Sequence, residues 1–189
     1  MNIGLFFGSF NPIHTGHLMI AQYMLNETEI YKVKFIVSPQ NPLKENKDLM
    51  PAEFRLQMAN ISIADNKEFE IEDIEFSLPT PSYTIDTLNA LSIKYPNDTL
   101  YIIMGSDSLA QIERWRDYEK ILTYNILIYK RDKNFTNPYS KNKNITVFDC
   151  PILNISATKI REMLAQNKSI QYMVNNEIID SLKSFYLKN

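Results

Sequence analysis

Residues 2–18 read NIGLFFGSFNPIHTGHL, and this stretch decides the fold. Its apolar run Ile3–Phe7 predicts a buried strand, and the apolar-periodic run that starts at Leu18 predicts a helix. Glycines between the two runs, Gly8 and Gly16, predict a strand-to-helix turn. Backbone N–H groups at such a turn and the dipole of the following helix favour a bound anion. The stretch therefore indicates a phosphate site.

Both histidines of the chain, His14 and His17, lie in this turn, three residues apart. Imidazoles there add hydrogen-bond donors that can become cationic, which suits phosphate. Two alternatives stay open: histidines that only support the helix start, and a pair that shares a metal ion. With 2 His and 1 Cys in the chain, no second pair exists to complete a closed metal site. The residues favour phosphate binding and predict no metal site on the protein.

The composition is that of a globular protein. The 189 residues favour one domain, and the 44% hydrophobic and 22% charged residues argue against disorder. A net charge of −2 gives no electrostatic case for a nucleic-acid partner. The lone Cys150 excludes an internal disulfide and predicts a reducing, cytoplasmic setting. We expect no signal peptide, because no basic region precedes the first apolar run and Gly8 and Asn11 interrupt that run. We expect no membrane partner, because apolar runs stay well short of the roughly 20 residues that span a bilayer.

Strand-like and helix-like runs alternate along the chain. Strands are predicted at Ile3–Phe7, Val33–Val37, Phe69–Ile74, Leu100–Met104, Ile126–Tyr129 and Ile145–Phe148. Helices are predicted at His17–Asn26, Pro51–Ala64, Thr84–Lys94, Trp115–Leu122, Ser156–Gln166 and Asn175–Leu187. The Lys- and Asn-rich segment Lys130–Asn144 is predicted as a solvated loop, with a loop near the phosphates as the alternative. This alternation predicts an α/β fold with a mostly parallel sheet and helices on both faces. Ligands bind beyond the carboxyl ends of such strands, where Gly8, Gly105 and the segment from Asn154 to Ser156 lie.

A second motif, NISATKIR, covers residues 154–161. Ser156 is a candidate N-cap, and Thr158 and Arg161 are spaced to share one face at the helix start. A hydroxyl and a guanidinium beside the free N–H groups of a helix start can together bind a polyphosphate.

The two motifs together resemble a known superfamily. GSFNPIHTGHL from Gly8 to Leu18 is similar to the signature of the nucleotidyltransferases with a His/Thr-x-Gly-His motif, and residues 154–161 resemble their closing Ile-Ser-x-Thr-x-x-Arg motif. Three further segments, PSYTIDTL (81–88), GSDSL (105–109) with Trp115, and PQNPLK (39–44), resemble the nicotinate-nucleotide adenylyltransferases of bacteria. The resemblance runs from Met1 to about Tyr186.

The resemblance implies a fold, a reaction and a set of site residues. The fold would be a Rossmann-like, doubly wound α/β domain over residues 1–189 with a small C-terminal helical extension at about 168–189. The reaction would be adenylyl transfer from ATP, carried with Mg²⁺, to nicotinate mononucleotide, a late step of NAD biosynthesis. The implied catalytic residues are His14, His17 and Arg161. The implied ATP-binding residues are Gly8, Ser9, Phe10, Gly16, Lys44, Gly105, Asp107, Ser156, Thr158 and Arg161. The implied mononucleotide-binding residues are Thr84, Trp115 and Arg116.

Two other functions stay open at this point. One is a sister enzyme, a pantetheine-phosphate adenylyltransferase, which shares the first motif but does not carry the Pro-Ser-Tyr-Thr segment. The other is a nucleotide-binding regulator without catalysis on the same fold, although both motifs are intact in this chain.

Overall fold

The computed structural model describes residues 1–42, 49–132, 134–151 and 153–187. The strands in these ranges are β1 (Asn2–Gly8), β2 (Lys32–Val37), β3 (Phe69–Glu72), β4 (Thr99–Gly105), β5 (Asn125–Tyr129) and β6 (Ile145–Phe148). The α-helices are α1 (Thr15–Glu27), α2 (Ala52–Ile63), α3 (Thr84–Lys94), α4 (Ser106–Leu109), α5 (Tyr118–Ile121), α6 (Ala157–Ala165) and α7 (Ile179–Leu187). Short 3₁₀ turns cover Ile74–Ser77, Ile112–Arg114 and Asn176–Ile178.

The strands form one parallel sheet in the order β3-β2-β1-β4-β5-β6. Strand β1 lies at the centre, where Ile3 pairs with Lys32 of β2 on one side and with Leu100 of β4 on the other. The chain winds outward from β1 in one direction and then from β4 in the other, which is the doubly wound Rossmann-like order. A crevice opens between the carboxyl ends of two such strands. The fold prediction is therefore confirmed, and the crevice lies beside Gly8 and Gly105.

Both faces of the sheet are buried, because alternate strand residues point to opposite sides. Phe6 of β1 and Ile103 of β4 contribute to a core cluster that also contains residues of α1, α2 and α6. Their neighbours Leu5 and Ile102 contribute to a second cluster with residues of α3 and α5. Two apolar layers of this kind hold the central strands rigid, so the loops at their carboxyl ends start from fixed positions.

Several predicted elements differ from the structure in their bounds, three of them because the backbone conformation changes within the predicted range. The predicted helix Trp115–Leu122 is wrong at its start: Asp117 has a left-handed backbone (φ 52°), and α5 begins only at Tyr118. The predicted strand Phe69–Ile74 ends at Glu72, because Ile74 begins a 3₁₀ turn. The last predicted helix is divided into a 3₁₀ turn and α7. Each difference lies at an element boundary, where local backbone geometry overrides the apolar pattern.

The C-terminal segment contacts the first turn of the fold. Four of its apolar side chains belong to the core cluster that contains Phe6: Ile170, Val174, Ile178 and Leu182. The backbone N–H of Thr15 donates to the carbonyl of Met173 at 2.9 Å, and the Thr15 hydroxyl donates to the carbonyl of Tyr172 at 3.0 Å. This segment therefore holds the start of α1. The single domain over residues 1–189 stays a prediction.

Candidate active site

The loop after β1 turns sharply over the end of that strand. Phe10 has a left-handed backbone (φ 44°), and its ring covers Gly8 so closely that a Cβ on Gly8 would lie 2.8 Å from a ring carbon. Only glycine tolerates that approach without displacing the ring. The turn predicted from the sequence is thus present, and it directs Ser9, Phe10 and Asn11 to the rim of a cavity.

The two histidines at the start of α1 stack on each other. Their ring centroids are 3.7 Å apart, with an angle of 24° between the planes. The backbone N–H of His14 donates to Nδ1 of His17 at 3.2 Å. Since Nδ1 accepts this bond, the neutral ring of His17 carries its proton on Nε2. This contact fixes both the tautomer of His17 and the orientation of its ring.

His14 is buried and neutral at physiological pH. Burial, reinforced by the positive charge of Arg131, lowers the pKa of His14 from 6.5 to about 4. A Cβ on Gly16 would lie 3.1 Å from this ring, tighter than almost all real contacts, so a larger residue at 16 would press on it. Gly16 therefore contributes by leaving room for His14.

The second motif begins α6 as predicted. Ser156 is the N-cap, and its hydroxyl accepts a hydrogen bond from the N–H of Lys159 at 3.2 Å. Arg161 donates to the Thr158 hydroxyl at 3.4 Å, so the two side chains do share one face. Arg161 also donates to the carbonyl of Asn11 at 3.0 Å, although the two residues are 150 positions apart. The structure thus brings the two motifs into direct contact.

A cavity of about 540 Å³ lies where these segments meet, at the carboxyl ends of β1 and β4. Of the residues predicted for the site, it is lined by Gly8, Ser9, Phe10, His14, His17, Asp107, Trp115, Ser156, Thr158 and Arg161. A cleft of this size with convergent polar groups is suited to a nucleotide-sized ligand.

Arg131 is a cavity residue that the sequence reasoning missed. It donates to Asp107 Oδ2 and to the Tyr129 hydroxyl, both at 3.4 Å, and its own N–H donates to Ser106 Oγ at 3.0 Å. The segment 130–144 was predicted as a solvated loop, and Arg131 is its second residue. One signal could have found it: Arg131 is the second residue after β5, so it lies at the same sheet edge as Gly8 and Gly105.

Besides Gly16, three predicted residues are not among those that line the cavity, and a fourth lies outside the described ranges. Gly105 precedes Asp107, and a Cβ at this position would collide with the Asp107 carboxylate and lie 3.2 Å from the Tyr129 ring. Thr84 is the first residue of α3 and is not among the residues that line the cavity. The Arg116 guanidinium pairs with Asp86 and lies 3.8 Å from the centroid of the Tyr83 ring. Lys44 lies outside the described residues.

Trp115 has two kinds of contact. It packs against the core cluster on the α3 face, and it also lines the cavity. The position of Trp115 therefore allows it both to pack against the core and to contact a ligand in the cavity.

Metal binding by the histidine pair has little support from the donor set. Within the described ranges, no group of three or more His, Cys, Asp or Glu side chains is placed to hold an ion. Nδ1 of His17 already accepts a backbone hydrogen bond.

Comparisons with known proteins agree with this geometry. The sequence model of the cytidylyltransferase-like family matches residues 5–163. A probable nicotinate-nucleotide adenylyltransferase of Cytophaga hutchinsonii is 45% identical over 185 residues, 97% of this chain and 96% of that protein. The chain belongs to the nicotinate-nucleotide adenylyltransferase family. A second family member, from Flavobacterium johnsoniae, is 39% identical over the full length of both chains.

Solved structures of nicotinate-nucleotide adenylyltransferases share the fold. The nicotinic acid mononucleotide adenylyltransferase of Plasmodium falciparum complexed with NaAD has a TM-score of 0.80 at 23% identity, covering 98% of this chain and 96% of that one. The same Plasmodium falciparum enzyme complexed with APC has a TM-score of 0.77 at 24% identity, with the same coverage. Among the described residues, no helix is long and apolar enough to cross a membrane.

Proposed function

We propose that this protein transfers the adenylyl group of ATP to nicotinate mononucleotide. A phosphate oxygen of the mononucleotide attacks the α-phosphorus, and a new P–O bond forms. The bond from the α-phosphorus to the oxygen that bridges to the β-phosphorus breaks, and its electron pair leaves on pyrophosphate. The other product is nicotinate adenine dinucleotide. The observation that carries this proposal is the contact of Arg161 with Asn11, which joins both phosphate-type motifs at one cavity.

The reaction needs no nucleophile from the protein, so catalysis rests on position and on charge stabilisation. We assign His17 to the α-phosphate, where negative charge develops in the transition state. Nε2–H is the donor that the ring presents, since Nδ1 accepts from the backbone. His14, whose lowered pKa keeps it neutral, would assist at the α- or β-phosphate. Ser9 supports an anion site as well: its buried hydroxyl has no hydrogen-bond partner within the described chain.

The start of α6 would hold the leaving pyrophosphate. Thr158 and Arg161 are in contact at the helix N-terminus, where N–H groups and the dipole favour the β- and γ-phosphates. The capping residue Ser156 keeps that helix end in place. Lys44 is proposed as a further phosphate contact. Arg131 adds a positive charge to the cavity lining, close enough to His14 to affect its pKa.

The remaining assignments concern the two nucleosides. Gly105 and Asp107 would contact the adenosine ribose, because they end β4 at the crevice. Trp115 would stack on the pyridine ring of the acceptor. Thr84 and Arg116 are proposed for the acceptor as well, although they lie beside the cavity lining. We further propose a cytoplasmic location, in keeping with the free Cys150.

Mg²⁺ enters this proposal as part of the substrate MgATP. The cavity offers Asp107 as a carboxylate, and this group already contacts Arg131 at 3.4 Å. The donor set therefore suits an ion that is held mainly by the triphosphate, as Mg²⁺ is in many phosphoryl-transfer sites.

Release of pyrophosphate tests the proposal directly. The wild-type protein is incubated with MgATP and, in separate arms, with nicotinate mononucleotide, nicotinamide mononucleotide or phosphopantetheine. We expect fast release with the nicotinate form. Fast release only with phosphopantetheine would instead indicate the sister enzyme. Binding of ATP without release in any arm would indicate a nucleotide-binding regulator.

We expect Trp115→Leu to raise the KM for nicotinate mononucleotide about 10-fold or more and to leave the KM for ATP nearly unchanged. Stacking of a flat base on an aromatic side chain contributes about 1–3 kcal/mol, and 1.4 kcal/mol corresponds to a factor of ten. Steady-state kinetics with each substrate varied in turn measure this split.

The matched variant for Trp115 is Trp115→Phe, which retains an aromatic face. It should recover most of the acceptor affinity. A purely structural tryptophan would behave differently: Trp115→Leu would lower the melting temperature, and the KM for the acceptor would not change.

A further inference from the structure

Arg55 of α2 is fully buried beneath the cavity. Its guanidinium donates to four backbone carbonyls: Ser9 at 2.6 Å, Ser38 at 2.8 Å, Met50 at 2.9 Å and Pro39 at 2.9 Å. These carbonyls belong to the loop after β1, to the loop after β2 and to the residues just before α2. One side chain thus ties together three separate backbone segments around the site.

All four acceptors of Arg55 are neutral, and no carboxylate pairs with it in the described part of the chain. Burial lowers its pKa to about 10, so the group is still charged at neutral pH. A buried cation without a counterion is costly. An anionic ligand in the cavity would be attracted by the positive charge of Arg55 and would offset part of the cost of burying it.

The bond to Ser9 has a geometric consequence. The peptide between Ser9 and Phe10 is trans, so its carbonyl and its N–H point in opposite directions. Arg55 donates to the Ser9 carbonyl from the core side of the loop. The Phe10 N–H consequently faces away from Arg55. That N–H donates to no backbone carbonyl of the described residues, and Phe10 lines the cavity. The left-handed backbone of Phe10 is one that a non-glycine residue rarely adopts unless its surroundings hold it.

We propose that Arg55 is a positioning residue for adenylyl transfer: it holds the Ser9–Phe10 peptide so that the Phe10 N–H points at a phosphate of ATP. The guanidinium also polarises this peptide, which strengthens the N–H as a donor. Arg161 contacts the same loop through a hydrogen bond to the Asn11 carbonyl at 3.0 Å. The inference rests on the proposed function, because the phosphate is that of bound ATP.

Arg55→Lys tests this role. Lysine keeps the charge but lacks the planar fork that reaches several carbonyls at once. We expect kcat to fall about 10- to 100-fold, as it does when reacting groups are misplaced by a fraction of an ångström to 1 Å. The matched control is Met58→Ala, one turn further along α2 and also buried, which is part of the apolar core and has no side-chain N–H that could bind the carbonyls of the loop. It should lower the melting temperature and leave kcat of the folded protein nearly unchanged.

The comparison of the two variants separates positioning from stability. A kcat loss in Met58→Ala as large as that in Arg55→Lys would overturn the inference, and so would a wild-type kcat in Arg55→Lys. Failure of the proposed function has a different signature, because the wild-type protein itself would then release no pyrophosphate.

A second measurement needs no variant. In ¹⁵N-labelled wild-type protein, addition of MgATP without acceptor should move the Phe10 amide proton downfield as it gains a charged acceptor. The amide of Val33 in β2, which donates to the carbonyl of Glu68 and does not line the cavity, should stay in place and provides the control. A Phe10 signal that does not move at saturating MgATP would overturn the inference even if Arg55→Lys failed to fold.

Discussion

His17→Ala should lower kcat by about 10²- to 10³-fold, the usual cost of removing one preorganised donor that stabilises transition-state charge. The ring of His17 is held by the Nδ1 contact with the His14 backbone at 3.2 Å and by stacking on His14. Its Nε2–H is therefore oriented before the substrate arrives, and no reorganisation is needed when charge develops on the α-phosphate. Single-turnover measurements at saturating MgATP and mononucleotide report this loss directly.

Two further variants of His17 distinguish the role of its Nδ1, which accepts from the backbone, from the role of its Nε2–H donor. In His17→Asn, the amide oxygen can replace Nδ1 as the acceptor for the His14 N–H, but the distal donor is lost. In His17→Gln, the amide nitrogen can replace the distal donor, but the contact with the backbone is lost. We expect Asn to preserve the melting temperature without restoring kcat, and Gln to restore part of kcat.

An outcome with kcat of His17→Ala within threefold of the wild type would leave His17 as a structural residue at the helix start. A loss of ATP binding that matches the loss of kcat would also contradict the assignment, because uniform binding affects KM and not the chemical step.

Much of the fold was predictable because its signals are local. The strands β1, β4 and β5 are continuous apolar runs that end in glycine or polar residues, and the sheet rule for parallel strands places those ends together. The helix α3 was predicted with both its bounds, Thr84 and Lys94, because a polar start and a basic last turn frame it. The motifs at His14–His17 and at Ser156–Arg161 were also visible, since each combines helix-start signals with phosphate-type donors.

What the sequence did not reveal depends on contacts between distant segments. Arg55 lies in a helix where an arginine is ordinarily exposed, and only the folded structure shows its four carbonyl partners. Arg131 lies in a segment rich in Lys and Asn, where composition predicts solvent. The left-handed backbone of Asp117, which delays α5, is a local choice that an apolar pattern cannot report. In each case the decisive partner is many residues away or is the backbone itself.

Arg161→Ala should lower kcat/KM for ATP by about 10²-fold, since hydrogen bonds to charged groups contribute about 1.5–3 kcal/mol and Arg161 is placed to make two of them to the leaving phosphates. The variant also removes the hydrogen bond from Arg161 to the Asn11 carbonyl at 3.0 Å, so the loop after β1 loses one of the contacts that hold it. Kinetics with varied MgATP at saturating mononucleotide measure the effect.

The controls for Arg161 come from the same helix. Lys159→Ala removes one positive charge from α6 at an exposed residue that does not line the cavity, so it should leave kcat/KM nearly unchanged. Arg161→Lys keeps the charge but not the forked geometry, and its kcat/KM should fall between the values of the wild type and Arg161→Ala. Equal effects of Arg161→Ala and Lys159→Ala would mean that only the net charge of α6 matters to ATP. A wild-type value in Arg161→Lys would mean that the fork is not used, and the start of α6 would then attract the triphosphate without fixing its orientation.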